Sequence, residues 1–429
     1  MTWLGVMILA ALPEGAAVRA VSLDEALALA RQYAPQAIAA EGSRRTGAAA
    51  VRSAYAAFLP GVSVGAGATR QYPSGGGTRI ENGQVIQLPA TPWSYSGSLS
   101  ANIEVFGGGR RFYELGQAKA DLRAAEAGAV SDDYGLRLSV QQAFFNVLAA
   151  RESEHAAAAQ LEQAEQQIQT VMARVRNKVA TRSDSLRAEI QRSNARLAVL
   201  DAANALEVSD AALTRAVGTP YALTAADEPL AAAPAAADPA ALLARAMNGP
   251  VVREARVRLD AARAARRIGW TGYLPSVNAS YSRSASGTDE DFGLGAQDYN
   301  YNGSLRLSLS FPIFNQLQRE EQVVRAQVAV ENAEAALRDA ELAARLEITQ
   351  ATGDYRVNVE RVASLSASVG AAEEDLRVQQ QRYAAGGSTL LDVLTSQTQL
   401  NQARQDLIRA RYDLRVAKAQ IEAIVGEDL

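Results

Sequence analysis

From Trp93 to Val105 the chain alternates strictly. Trp93, Tyr95, Gly97, Leu99, Ala101, Ile103 and Val105 are apolar or small, and Ser94, Ser96, Ser98, Ser100, Asn102 and Glu104 between them are polar. Tyr299 to Ile313 repeats the arrangement, with Tyr299, Tyr301, Gly303, Leu305, Leu307, Leu309, Phe311 and Ile313 opposite Asn300, Asn302, Ser304, Arg306, Ser308 and Ser310. A period of two predicts a strand with one apolar and one hydrophilic face. Val62, Val64, Ala66 and Ala68, and again Val277, Ala279 and Tyr281, predict shorter partners. Four strands are expected, over about 61–72, 93–106, 276–283 and 299–313.

Elsewhere the period lengthens to 3.5. Ala195, Val199, Ala202, Leu206, Ser209, Leu213 and Ala216 step by four and three, as do Ala403, Leu407, Ala410, Leu414, Ala417, Ile421 and Ile424. That spacing is a coiled-coil seam. A proline-free run from about Asn315 to Tyr383 keeps the same step and predicts a helix roughly 100 Å long. Shorter helices are expected over about 27–58 and 182–217.

These elements occur twice. Leu59-Pro60 recurs as Leu274-Pro275 and Pro35 as Pro250 at one constant spacing; Leu99 and Leu307, Arg174 and Arg382, Asp184 and Asp392, and Gly218 and Gly426 recur at a slightly shorter one. The chain therefore reads as two copies of a helix-strand-strand-helix unit, 21–218 and 241–429, joined by a Pro- and Ala-rich linker over 219–240. Residues 1–20, with an apolar run from Trp3 to Leu12 and small residues before Ala20, read as a signal peptide.

Composition removes most chemistries. The 429 residues include no cysteine and one histidine, His155, which excludes thiol nucleophiles and the usual zinc sets. With 43 basic against 47 acidic side chains and a net charge of -4, nothing favours a nucleic-acid partner. No nucleophile–base pair or phosphate loop can be assembled, so neither enzyme activity, metal nor cofactor is expected. Glu373-Glu374-Asp375 reads as a solvated helix face. If the exported chain crosses a membrane it does so with strands, and four cannot close a barrel. Two chains would give eight strands and three would give twelve; the slight, serine-rich inward face suits the wider twelve-stranded barrel.

Arg382-Tyr383-Ala384-Ala385-Gly386, followed by Leu391-Asp392-Val393-Leu394 and the heptads to Ile424, resembles the signature of the TolC-like outer-membrane efflux proteins. The resemblance implies a mainly α fold with a small β part. Four barrel strands per chain would contribute to a trimeric twelve-stranded outer-membrane β-barrel, continued by a long coiled-coil α-helical tunnel across the periplasm. It also implies a homotrimer that works with a periplasmic adaptor and an inner-membrane pump, in a tripartite efflux or type I secretion system.

Site residues follow from the same resemblance. Asp392 stands where the family narrows its periplasmic mouth with a ring of carboxylates, and Thr395 replaces the second acidic residue. Tyr383 and Asp184 match residues that tie neighbouring hairpins shut, while Ser388 replaces the arginine of that latch, which implies a weaker closed state. Adaptor docking is implied at Lys178-Val179-Ala180-Thr181 and Gly386-Gly387-Ser388-Thr389, with Lys178 where glycine is usual. Trp93, Tyr95, Leu99, Ile103, Tyr299, Tyr301, Leu305, Leu307 and Leu309 are expected to face outer-membrane lipid. Asp184 and Asp392 also read simply as helix-start carboxylates. The competing expectation is a soluble periplasmic coiled-coil adaptor or scaffold, which would explain the heptads without a pore.

Overall fold

The computed structural model describes residues 18–71, 78–81, 83–87, 93–227, 238–289, 291–292 and 299–429. Most of the expected signal peptide and the middle of the expected linker lie outside them.

The elements run β1 (Arg19–Val21), α1 (Leu23–Tyr33), α2 (Pro35–Ala56), β2 (Gly61–Thr69), β3 (Thr78–Glu81), β4 (Gln84–Gln87), β5 (Trp93–Gly107), α3 (Arg110–Arg176), α4 (Arg182–Val217) and β6 (Leu223–Ala225). The second copy continues with α5 (Pro239–Ala246), α6 (Pro250–Gly269), a 3-10 turn at Trp270–Tyr273, β7 (Ser276–Asp289), β8 (Asn300–Ser310), α7 (Gln318–Ala384) and α8 (Leu390–Val425). Both long helices have 67 residues, hence the expected length of about 100 Å.

The first short helix is two helices, not one over 27–58. Pro35 has no N–H to continue the ladder and holds Ala34 extended, at φ -63 and ψ 132. Pro250 opens α6 in the same way. The strand β1 was not anticipated; it pairs in parallel with β6 inside the expected linker region, placing Val21 opposite Ala225. Arg19 and Ala20 belong to this strand, although a cleavage after Ala20 would remove them.

The chain divides into two compact units. One comprises the segments up to Arg44, Ala125–Arg256 and Leu337–Leu429. Its largest core joins Val21, Ala30, Val140, Phe144, Val147, Leu213, Leu223 and Ile408, from β1, α1, α3, α4, β6 and α8. A second cluster packs Leu242 and Ala246 of α5 against Ile348, Ala351 and Tyr355 of α7 and Leu414, Ala417 and Ile421 of α8. Of the stepped positions of the α8 seam, Leu407, Ala410, Leu414, Ala417 and Ile421 are thus buried, as a knobs-into-holes interface requires, while Ala403 and Ile424 at its ends are half-buried.

The other unit, Arg45–Ala124 and Val257–Ala336, carries an antiparallel sheet in the order β2-β5-β7-β8 and the separate β3–β4 hairpin. Strand β7 runs on to Asp289, beyond the expected end at 283. Strand β8 stops at Ser310, short of 313, because Pro312 cannot donate to a ladder. A bulge between Glu104 and Phe106 also shifts the alternation, so Phe106 rather than Val105 lies opposite Val277.

Candidate functional site

The α3–α4 and α7–α8 turns are built by the same chemistry. At the first, the Val179 N–H donates to the Arg174 carbonyl at 2.9 Å and the Lys178 N–H to that of Val175 at 3.0 Å. At the second, the Gly387 N–H donates to the Arg382 carbonyl at 2.7 Å and the Gly386 N–H to that of Tyr383 at 3.1 Å. Such a pair of bonds ends a helix around a left-handed residue. Lys178, at φ 60, takes the place that Gly386, at φ 79, takes in the second copy. A β-carbon makes that conformation cost about 1 kcal/mol, so the first tip carries strain that the second avoids.

Each following helix opens on a capping box. Asp184 Oδ2 accepts from the Thr181 N–H at 2.9 Å and hydroxyl at 2.8 Å, and the Asp184 N–H donates to Thr181 Oγ1 at 3.2 Å. Asp392 does the same with Thr389 at 2.8, 2.8 and 3.3 Å. Backbone hydrogen bonds from the two threonines, then their hydroxyls, hold both carboxyls below the usual aspartate range.

Asp184 is therefore turned back on its own helix start. The Tyr383 hydroxyl is buried with no hydrogen-bond partner among the described residues, so the chain does not bring these two residues into the hydrogen bond expected of a latch. Ser388 donates to the Gln379 carbonyl at 3.2 Å and Thr395 to that of Leu391 at 2.9 Å, both within their own hairpin. Lys178, Val179, Thr181, Gly386, Gly387 and Thr389 are exposed, while Ala180 and Ser388 are half-buried.

Beside an apolar cluster of Val171, Val175 and Ala188 with Tyr383, Leu390 and Leu394, the two tips are joined by Arg174. Its guanidinium donates to the Tyr383 and Ala384 carbonyls, each at 3.0 Å, and lies 4.3 Å from the centre of the Tyr383 ring. Sequence reasoning named Arg174 only as a repeat position. Its match to Arg382 was the available signal.

In the sheet, register sorts the faces. Residues directly opposite share a face. Val62, Ala101, Tyr281 and Leu305 form one row, Val64, Leu99, Arg283 and Gly303 the next, and Ala66, Gly97, Ala285 and Tyr301 the one after. Ile103 lies opposite Ala279, and Leu307 and Leu309 lie opposite Ala279 and Val277 on the same face. Trp93 and Tyr95 continue it at the end away from the helices, where the Trp93 and Phe292 ring centres lie 4.8 Å apart and those of Tyr299 and Tyr301 6.4 Å apart. Gly61, Asn102, Ser280 and Arg306 make a row of the polar face.

A duplicated unit of this kind also appears in known proteins. The profile of the family described as "Outer membrane efflux protein" matches residues 26–219 and 243–427, one span per copy. The chain belongs to the outer membrane efflux protein family. It is 22% identical over 422 residues to outer membrane protein TolC of Vibrio cholerae, covering 96% of this chain and 92% of that protein. To TolC of Escherichia coli it is 26% identical over 181 residues, spanning only 37% of that protein and 40% of this one. The outer membrane protein VceC of V. cholerae superposes with a TM-score of 0.74 at 19% identity, over 94% of this chain and 96% of that one, which shows the fold. The chain is thus an outer-membrane protein of the efflux-channel type and not a soluble adaptor.

Proposed function

We propose that three copies share one twelve-stranded barrel and form a passive exit duct that catalyses nothing itself. The observation that carries this is the strand order: β2 and β8 are the two edges of the sheet, and every residue of both is exposed. Open edges are not tolerated in lipid. Because the edges differ, β8 of one copy pairs with β2 of the next, a head-to-tail contact that closes as a ring. Leu186, Ile190 and Leu197 on α4 and Leu342 and Leu346 on α7 are exposed large apolar side chains, which neighbouring copies would cover in the tunnel wall.

Opening happens at the hairpin tips. A periplasmic adaptor binding Lys178–Thr181 and Gly386–Thr389 favours a splayed arrangement over a closed one, and does so by as much as it binds the splayed state more tightly. An inner-membrane pump supplies the drive. Three Asp392 carboxylates near the mouth make the passage prefer cations. Recording single channels in planar bilayers tests this: a cation-selective conductance is expected, with selectivity reduced in Asp392→Asn. Inserted protein without conductance, or selectivity indifferent to that change, would count against the gate.

A further inference from the structure

Among the described residues, the face of the sheet that meets lipid carries one cation below its ring of aromatic residues. Arg283 sits in the row Val64, Leu99, Arg283 and Gly303, among side chains that are otherwise apolar. Its depth follows from β8. From Leu309 to Tyr301 the apolar face spans eight residues, roughly 20 Å of membrane at a tilt of about 40°. Arg283 lies opposite Gly303, roughly 5 Å below the Tyr301 row on the same estimate. At that end the strands connect to one another, β2 to β5 by way of the β3–β4 hairpin and β7 to β8, whereas the other ends of all four strands lead into helices, so Arg283 lies just beneath the outer boundary.

Three features make this position a receptor rather than a stray charge. A charge on the lipid face is costly unless it reaches the boundary or an anion. The Arg283 guanidinium lies 5.4 Å from the centre of the Tyr301 ring, one row nearer the outside, so the side chain already rises toward the headgroups. Directly opposite, Gly303 offers no side chain, and only the Ser282 carbonyl, at 3.9 Å, stands near where a β-carbon would lie. Among the described residues no carboxylate pairs with Arg283. Because β7 is an inner strand, edge-to-edge pairing of copies adds strands beside β8 and leaves Arg283 uncovered.

We propose that Arg283, backed by Tyr301 and the gap at Gly303, binds the phosphate of a phosphorylated lipid of the outer leaflet. The guanidinium fork matches two phosphate oxygens. The inference rests on the apolar face meeting lipid, and its test separates the two. The full-length protein would be placed in phosphatidylethanolamine nanodiscs containing diphosphoryl lipid A, and lipid retained after detergent washing measured by native mass spectrometry. Wild type is expected to keep the lipid and Arg283→Gln to lose it about tenfold or more, the worth of a charge-assisted bond. Arg306→Gln, on the polar face, should bind as wild type. Removing a charge from the lipid face does not threaten folding. Equal retention by Arg283→Gln, equal retention of a phosphate-free analogue, or displacement by millimolar inorganic phosphate would each overturn the site. Failure of every variant to enter nanodiscs would overturn the barrel with it.

Discussion

Replacing Arg174 by alanine should loosen the contact between the two hairpin tips while leaving the rest of the chain intact. The side chain supplies two charge-assisted hydrogen bonds at 3.0 Å and a ring contact at 4.3 Å. A hydrogen bond to a charged group contributes about 1.5–3 kcal/mol when well shielded, and an exposed cation–ring contact about 0.5–1. Arg174 is only half-buried and the released carbonyls can turn to water, so each bond falls below that range to roughly 0.75 kcal/mol, and with about 0.5 for the ring the tip contact should weaken by about 2 kcal/mol. That is roughly a thirtyfold rise in local opening. Hydrogen exchange read by mass spectrometry would report it as faster exchange over 382–388, with the core around Phe144 unchanged. Arg174→Lys should fall between, since an ammonium lacks the fork that reaches both carbonyls. Unchanged exchange at the second tip in Arg174→Ala would refute the reasoning.

Four further outcomes follow from the same geometry. Lys178→Gly should relieve the left-handed strain at φ 60 and slow exchange at the first tip, by about 1 kcal/mol of local stability; faster exchange would contradict it. Because Asp184 and Asp392 are held below the usual aspartate range in the fold, the stability they contribute is present above the unfolded aspartate pKa. It is lost as pH falls through the lower folded values, so tip protection should be flat from neutral pH to about 5 and decline below about 4. Thr181→Ala, which removes the cap, should weaken this decline at the first tip and cost about 1 kcal/mol there. Phe144→Ala empties a fully buried site in the largest core and should lower thermal stability by about 3–5 kcal/mol without moving tip exchange.

The two-residue period of 93–105 told which side chains share a face, because faces depend only on alternation. It could not tell which strands pair, or that β5 and β7 lie at the centre, since pairing joins residues far apart in sequence. The bulge beside Glu104 was equally hidden: one extra residue leaves the pattern plausible on both sides. Arg283 lay at the edge of a strand read too short, and its meaning emerged only from its row with Leu99 and Gly303. The break at Pro35 was present in the sequence, since proline opens a helix and disfavours one before it. Three-residue β1 and β6 are too short to show any period. The tips were more legible, because a threonine three residues before an aspartate specifies its own cap locally. Arg174 was not, because its partners are more than two hundred positions away and are backbone carbonyls, which no side-chain pattern records.

The shared barrel is the claim on which the rest depends. Mass measurement of the detergent-extracted protein from the outer-membrane fraction, with bound detergent subtracted, tests it most directly. Three copies per particle, extracted only with detergent, are expected. A monomer or dimer released with the soluble periplasm would contradict edge-to-edge pairing of β2 and β8 and the duct built on it.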